Sequence, residues 1–164
     1  SRSGQYLRGT SVNDRVLMQD FSDKIVEMVE RILACCEGLD EAGINWKPDA
    51  PDTNSIYVLA THTMGNVRQN VLAVLGDQED QRDRDAEFVA SGDSAAELQR
   101  QWAELKPQVQ ETLARLGTKD LERVHAHPRR GTMTGQQVLM LAATHAGEHA
   151  GQAELTRDIY VAQH

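Results

Sequence analysis

The chain has 164 residues, 40% hydrophobic, 26% charged and only 4% aromatic, with a formal net charge of -8. That length buries a core without disulfide staples and is read as one domain over residues 1–164. The acidic balance, with no cluster of Lys and Arg, excludes nucleic acid and anionic membrane surfaces as partners, and no apolar run approaches the roughly 20 residues that cross a bilayer.

No signal peptide is apparent at the N-terminus. Cys35 and Cys36 are adjacent in sequence, which disfavours a bridge between them and points to a reducing compartment, with the cytoplasm as the expected location.

Apolar residues at helical spacing run almost throughout the chain. Met18, Phe21, Ile25, Met28, Ile32, Cys35 and Leu39 form one seam of a first helix. Ser11 with Asp14 is placed at its start and Gly38 or Gly43 at its end. The stretch 45–52, with Pro48 and Pro51, reads as a loop. A second helix is expected from Thr53–Ser55 to Gly76, followed by an exposed, highly charged connection over Asp77–Asp85. Ser94 with Glu97 reads as the capping box of a third helix, with a seam of Leu98, Trp102, Leu105, Val109, Leu113 and Leu116 and a stop at Gly117. Pro107 inside that seam is expected to kink or restart it. Residues 118–133 form a long connection. Thr134 with Gln137 caps a fourth helix reaching about Tyr160. Four amphipathic helices without a convincing strand define the fold class: all-α, a four-helix bundle.

His145 and His149 lie four apart on the fourth helix, so their rings leave the same face one turn apart. At about 100° per residue they share a stripe with Val138, Leu141, Ala142, Gln152, Thr156 and Ile159, which directs both imidazoles inward. A single buried histidine is an ordinary core residue. Two stacked on a core stripe must each find a partner, and a shared metal ion supplies both at once. A third ligand is needed, and His62 on the second helix is the best placed. It sits on a small, polar stripe with Val58, Leu59, Gly65, Asn66, Gln69 and Ala73, beside a more apolar face of Ile56, Met64, Val67, Val71 and Val74. Alone it reads as an ordinary half-buried histidine; the pair on the fourth helix lifts it to a ligand.

The string His145-Ala146-Gly147-Glu148-His149 matches the H-x-x-E-H pattern of inverted zinc proteases. Only fifteen residues follow His149, too few for the further acidic ligand such proteases carry, and no substrate-binding strand is present. Glu148 falls at the edge of the stripe, where a proton carrier and an exposed glutamate are both open readings. Cys35 and Cys36 read as buried small hydrophobes and His125, His127 and His164 as surface histidines.

The segment Asn54-Ser55-Ile56-Tyr57-Val58-Leu59-Ala60-Thr61-His62 resembles the second helix of the DinB-like (YfiT-like) metal-binding bundles. Thr132-Met133-Thr134-Gly135-Gln136-Gln137-Val138-Leu139, followed by His145-Ala146-Gly147-Glu148-His149-Ala150-Gly151-Gln152, resembles their last ligand helix, and Trp46 with Pro48 fits the preceding loop. The resemblance spans nearly the whole chain. It implies a three-histidine site for zinc, nickel or another divalent ion. In some branches it implies a transferase or isomerase that uses a low-molecular-weight thiol such as mycothiol or bacillithiol, and dimers are common. Relatives often carry a carboxylate one turn beyond the first ligand histidine, where this chain has Asn66.

These residues leave three accounts standing. In the first, the ion activates a thiol toward a small electrophilic substrate, or a water for hydrolysis, with Asn66, Gln152 and Glu148 as candidate orienting or proton-carrying groups. In the second, the bundle holds metal without turnover. In the third there is no metal, and the histidines are satisfied by one another and by water.

Overall fold

The structure, a computed structural model, describes residues 12–164. The expected cap residue Ser11 lies outside the described residues, while Asp14 accepts a hydrogen bond from the Thr118 hydroxyl. Helix α1 spans Val12–Ala34. Its last carbonyls are taken up by tighter i→i+3 bonds from the N–H groups of Cys35, Cys36 and Glu37 at 3.0–3.1 Å. Gly38 then turns the chain at φ +75, a left-handed conformation that costs glycine little. Gly43 falls instead inside the short helix α2, Glu41–Ile44.

Ser55 caps helix α3, Ile56–Val67, its hydroxyl accepting from the Val58 N–H at 3.0 Å. The helix does not simply run on to Gly76. From Arg68 to Leu75 it widens into a π-helix, closed by the Gly76 N–H on the Val71 carbonyl at 2.9 Å. Nothing in the apolar pattern signals this widening, because its residues are as apolar as those of an ordinary turn.

The charged segment over Asp77–Asp85 is largely exposed, as expected, with Arg82 drawn inward. Asp80 accepts from Gln69 at 2.9 Å, and the Arg82 side chain is only 4% exposed. Asp83 then caps the one-turn helix α4, Arg84–Glu87. Charge alone misleads only at Arg82, whose side chain is taken inside against Glu87.

Helix α5, Ala96–Ala114, runs through Pro107 without interruption. Pro107 is exposed, so its ring sits on the solvent side, away from the packed seam of Leu98, Trp102, Leu105, Val109 and Leu113. The expected capping box is not made, and the helix starts after Ala95 without a side-chain cap. Ser94 accepts from the Ala96 N–H at 3.2 Å, while Glu97 turns to Arg100 at 2.7 Å.

Residues 118–133 are not a bare connection. They hold helix α6, Thr118–Glu122, and a hairpin of strands β1, Val124–His127, and β2, Gly131–Thr134, in antiparallel register with Val124 opposite Thr134. The strands are too short to show an alternating pattern in sequence. Helix α7, Gly135–Gln163, begins at the expected capping box: Thr134 accepts from the Gln137 N–H at 3.2 Å and Gln137 from the Thr134 N–H at 2.9 Å.

The four long helices α1, α3 with its π extension, α5 and α7 form the bundle, and the core runs between them. Helix α3 is buried on nearly every side, with Thr61 and Gly65 its partly open positions. Helix α7 shows where hydropathy misjudges the core. Its fully buried row is Ala142, Ala146, Ala150 and Ala153, each 0% exposed. Small residues on α7 let α1 approach closely, with Met28 of α1 3.7 Å from where a side chain at Gly147 would begin. The stripe drawn from larger residues is therefore displaced: Leu141, His145 and His149 lie at its half-buried edge and Gln152 is exposed. Cys35 and Cys36 are free and buried, as expected, and burial pushes both thiols up to about 11. No helix among the described residues is long and apolar enough to cross a membrane.

Candidate metal centre

His62 reaches the centre from the middle of α3, and His145 with His149 from successive turns of α7. The three rings meet through their Nε2 atoms. His145 Nε2 stands 3.2 Å from that of His62 and 3.0 Å from that of His149. Among the described residues these histidines form the group able to hold an ion, one ligand atom from each lying within 4.8 Å of the others. Tetrahedral ligands about 2.0–2.1 Å from zinc stand about 3.3 Å apart, so the spacing is close to what an ion requires.

The outer nitrogens decide which way the lone pairs face. Nδ1 of His62 lies 2.9 Å from Oε1 of Glu87. Burial opposes charge on Glu87, but hydrogen bonds from His62 and Arg82 outweigh it and hold the carboxyl below its ordinary range. An ionised carboxylate only accepts, so the proton sits on His62 Nδ1 and the Nε2 lone pair points inward. His149 repeats the arrangement, donating from Nδ1 to Oε1 of Gln152 at 2.7 Å. Two lone pairs thus converge on His145 Nε2. A proton there serves one of them, and Nδ1 of His145 is buried without a partner. The three imidazoles do not satisfy one another by themselves, and a cation among the three Nε2 atoms would take up their lone pairs. Burial, then repulsion from His149 and His62, pushes the His145 imidazole down to about 3, and burial first also lowers His149. Neutral imidazole is the form that ligates.

Glu87 is built into place. A side chain begun at Gly65 would meet Glu87 Oε2 at 2.0 Å, so only glycine on α3 leaves room for the carboxylate. Arg82 clamps the same group through Nε at 2.9 Å and Nη2 at 2.8 Å, while its Nη1 donates to Gln69 at 3.0 Å. The Phe88 ring covers His62 at 4.8 Å between centroids. Sequence reasoning missed Glu87 and Arg82, and the cue was slight: a capping Asp83 a few residues before one aromatic.

The other predicted residues divide. Asn66 is buried at the centre's edge, its Oδ1 accepting from Asn70 at 3.0 Å. Gln152 orients His149 from outside. Glu148 is exposed and turned from the three rings. Trp46 packs on Tyr160 near the end of α7, at 5.5 Å between centroids. His164 is exposed, as expected, but His125 and His127 are buried at 8% and 7% exposure, contrary to the surface placement. They alternate on the inner face of β1, a consequence of a strand that the sequence did not reveal.

A match to the family model described as the DinB superfamily covers residues 24–153. The chain belongs to the DinB superfamily. Its fold is shared by a conserved protein from Enterococcus faecalis, whose crystal structure superposes with a TM-score of 0.73 at 20% identity over 89% of this chain and 98% of that one. No curated protein matches the chain. The family segment contains all three histidines, both residues of the Arg82–Glu87 clamp and the whole hairpin.

Proposed function

We propose that this DinB-superfamily chain binds one divalent ion, zinc or nickel, through Nε2 of His62, His145 and His149. The observation that carries the reading is the convergence of lone pairs, with two outer nitrogens already committed to Glu87 and Gln152 and no arrangement of protons within the three rings that satisfies the third. When bound, an ion with three neutral ligands keeps its double charge and lowers the pKa of a thiol or water beside it. The chain's own residues supply orientation: Glu87 and Gln152 hold two ligands, and Arg82 keeps Glu87 ionised. Elemental analysis of wild type, His62→Ala and His145→Ala is the test. About one ion per chain in wild type, lost in both variants, is the expected result; a wild type that cannot be loaded overturns the reading.

For activity, the first reading is thiol transfer to a small electrophile, with mycothiol or bacillithiol as the donor. A second reading, a metal-holding bundle without turnover, draws support from the space available. The cavity that His62 and His145 line has a volume of about 50 Å³, room for a few waters and far below the hundreds of Å³ of typical ligand pockets. Thiol transfer therefore needs more room than this cavity offers. Thiol consumption by the metal-loaded protein across a panel of electrophiles separates the two.

A further inference from the structure

The cavity beside the three histidines has a charge unlike the rest of the molecule. The chain carries 25 acidic residues against 17 Lys and Arg, yet the walls include Arg82, Arg84, Arg129 and Arg130 and no carboxylate. Arg82 is spent on Glu87. Arg84 lies over the Phe88 ring at 4.8 Å. The guanidinium groups of Arg129 and Arg130 have no hydrogen-bonded or ionic partner among the described residues. Asp80 is engaged by Gln69 and by the Arg82 N–H.

The turn carrying Arg129 and Arg130 is held in place by a buried device. His127 Nδ1 accepts the Arg129 N–H at 3.1 Å, and its Nε2 donates to Oδ1 of Asn70 at 2.8 Å. Asn70 is 0% exposed and donates in turn to Asn66, next to the metal centre. The arginine-bearing turn is thus anchored to the helix that supplies His62, and both arginines, exposed to solvent, line the same small cavity. Unpaired arginines in such a setting match the planar, multiply accepting oxygens of a carboxylate or phosphate.

We propose that Arg129 and Arg130, with Arg84 across the cavity, bind a small oxyanion, a carboxylate or phosphate group, beside the three histidines. This names the ligand class of the site and rests on the metal reading for the role the anion plays there. The cavity's size restricts the bound portion to the anionic group itself, with any larger body of the ligand outside.

Calorimetric titration with inorganic phosphate and with succinate tests it, on full-length protein both metal-loaded and chelator-treated. The variants are Arg129→Gln/Arg130→Gln and a charge-matched control, Arg115→Gln/Lys119→Gln, remote from the cavity. Metal content is measured on the same samples. The expected result is saturable binding of at least one anion, weakened at least about tenfold in the hairpin variant and little changed in the control. Whichever anion binds more tightly identifies the group. No binding of either at millimolar concentration, equal binding in the hairpin variant, or an equal loss in the control overturns the proposal. Arginine-dependent binding by protein that cannot be loaded with metal overturns the metal reading and leaves the anion site standing.

Discussion

Glu87 shows how much one side chain decides at this centre. Its carboxylate sets the His62 tautomer and is itself fixed by Arg82 and by the room left at Gly65. Glu87→Gln keeps the shape but lets the amide present an N–H, so the lone pair of His62 is no longer directed inward. Metal affinity should fall about 10- to 100-fold, the usual cost of losing an outer partner, as read by competition with a chromophoric chelator. His127 gives a pH-dependent counterpart. Burial first, then Arg130 and Arg129, lower its pKa below the ordinary 6.5, and its Nδ1 must be unprotonated to accept the Arg129 N–H. The unfolded chain takes up this proton first as pH falls, so stability from this contact is present above about pH 6.5 and lost on acidification. Protection of the Arg129 amide, corrected for the intrinsic exchange rate, should fall as pH drops through the lowered His127 pKa, and His127→Asn should weaken the dependence.

Among the elements, α7 carries two duties on adjacent faces. Its alanine row is buried in the core, and the neighbouring edge presents His145 and His149 to His62 of α3. Enlarging the row should therefore damage stability and the centre together. Ala150→Leu forces side-chain volume into the packed core and should cost about 1–3 kcal/mol, measured by urea denaturation. Metal affinity should fall as well, since Ala150 adjoins His149. The π segment and hairpin form a second functional unit. Asn70 sits in the widened turns of α3, where its side chain reaches His127 on β1, so a local departure from helical geometry anchors the mouth of the site.

Across the whole molecule, the centre ties the two helices α3 and α7, which lie 83 residues apart in sequence at His62 and His145. An ion held by both stabilises the folded bundle by mass action. At free metal 100-fold above the dissociation constant the gain is about 2.7 kcal/mol, or about 5–10 °C in Tm for a chain of this size. Removal of metal with a chelator should lower Tm by that amount in wild type and leave His145→Ala unmoved. A wild-type Tm insensitive to chelation and reloading would speak against an ion bridging the helices.

Sequence alone determined the four long helices, the caps that start α3 and α7, and the candidate ligands. These depend on spacing: a seam every three or four residues, Thr134 three before Gln137, and His145 four before His149. Local periodicity also placed both fourth-helix histidines near the core, though it passed over the alanine row that is fully buried. Only the tertiary structure decided what surrounds the ligands. Glu87, Arg82, Asn70 and His127 come from segments far apart in the chain, and each looks like an ordinary polar residue until folding sets it within hydrogen-bond reach. Burial of a charge depends on its partner, and the partner is known only when the chain has closed on itself.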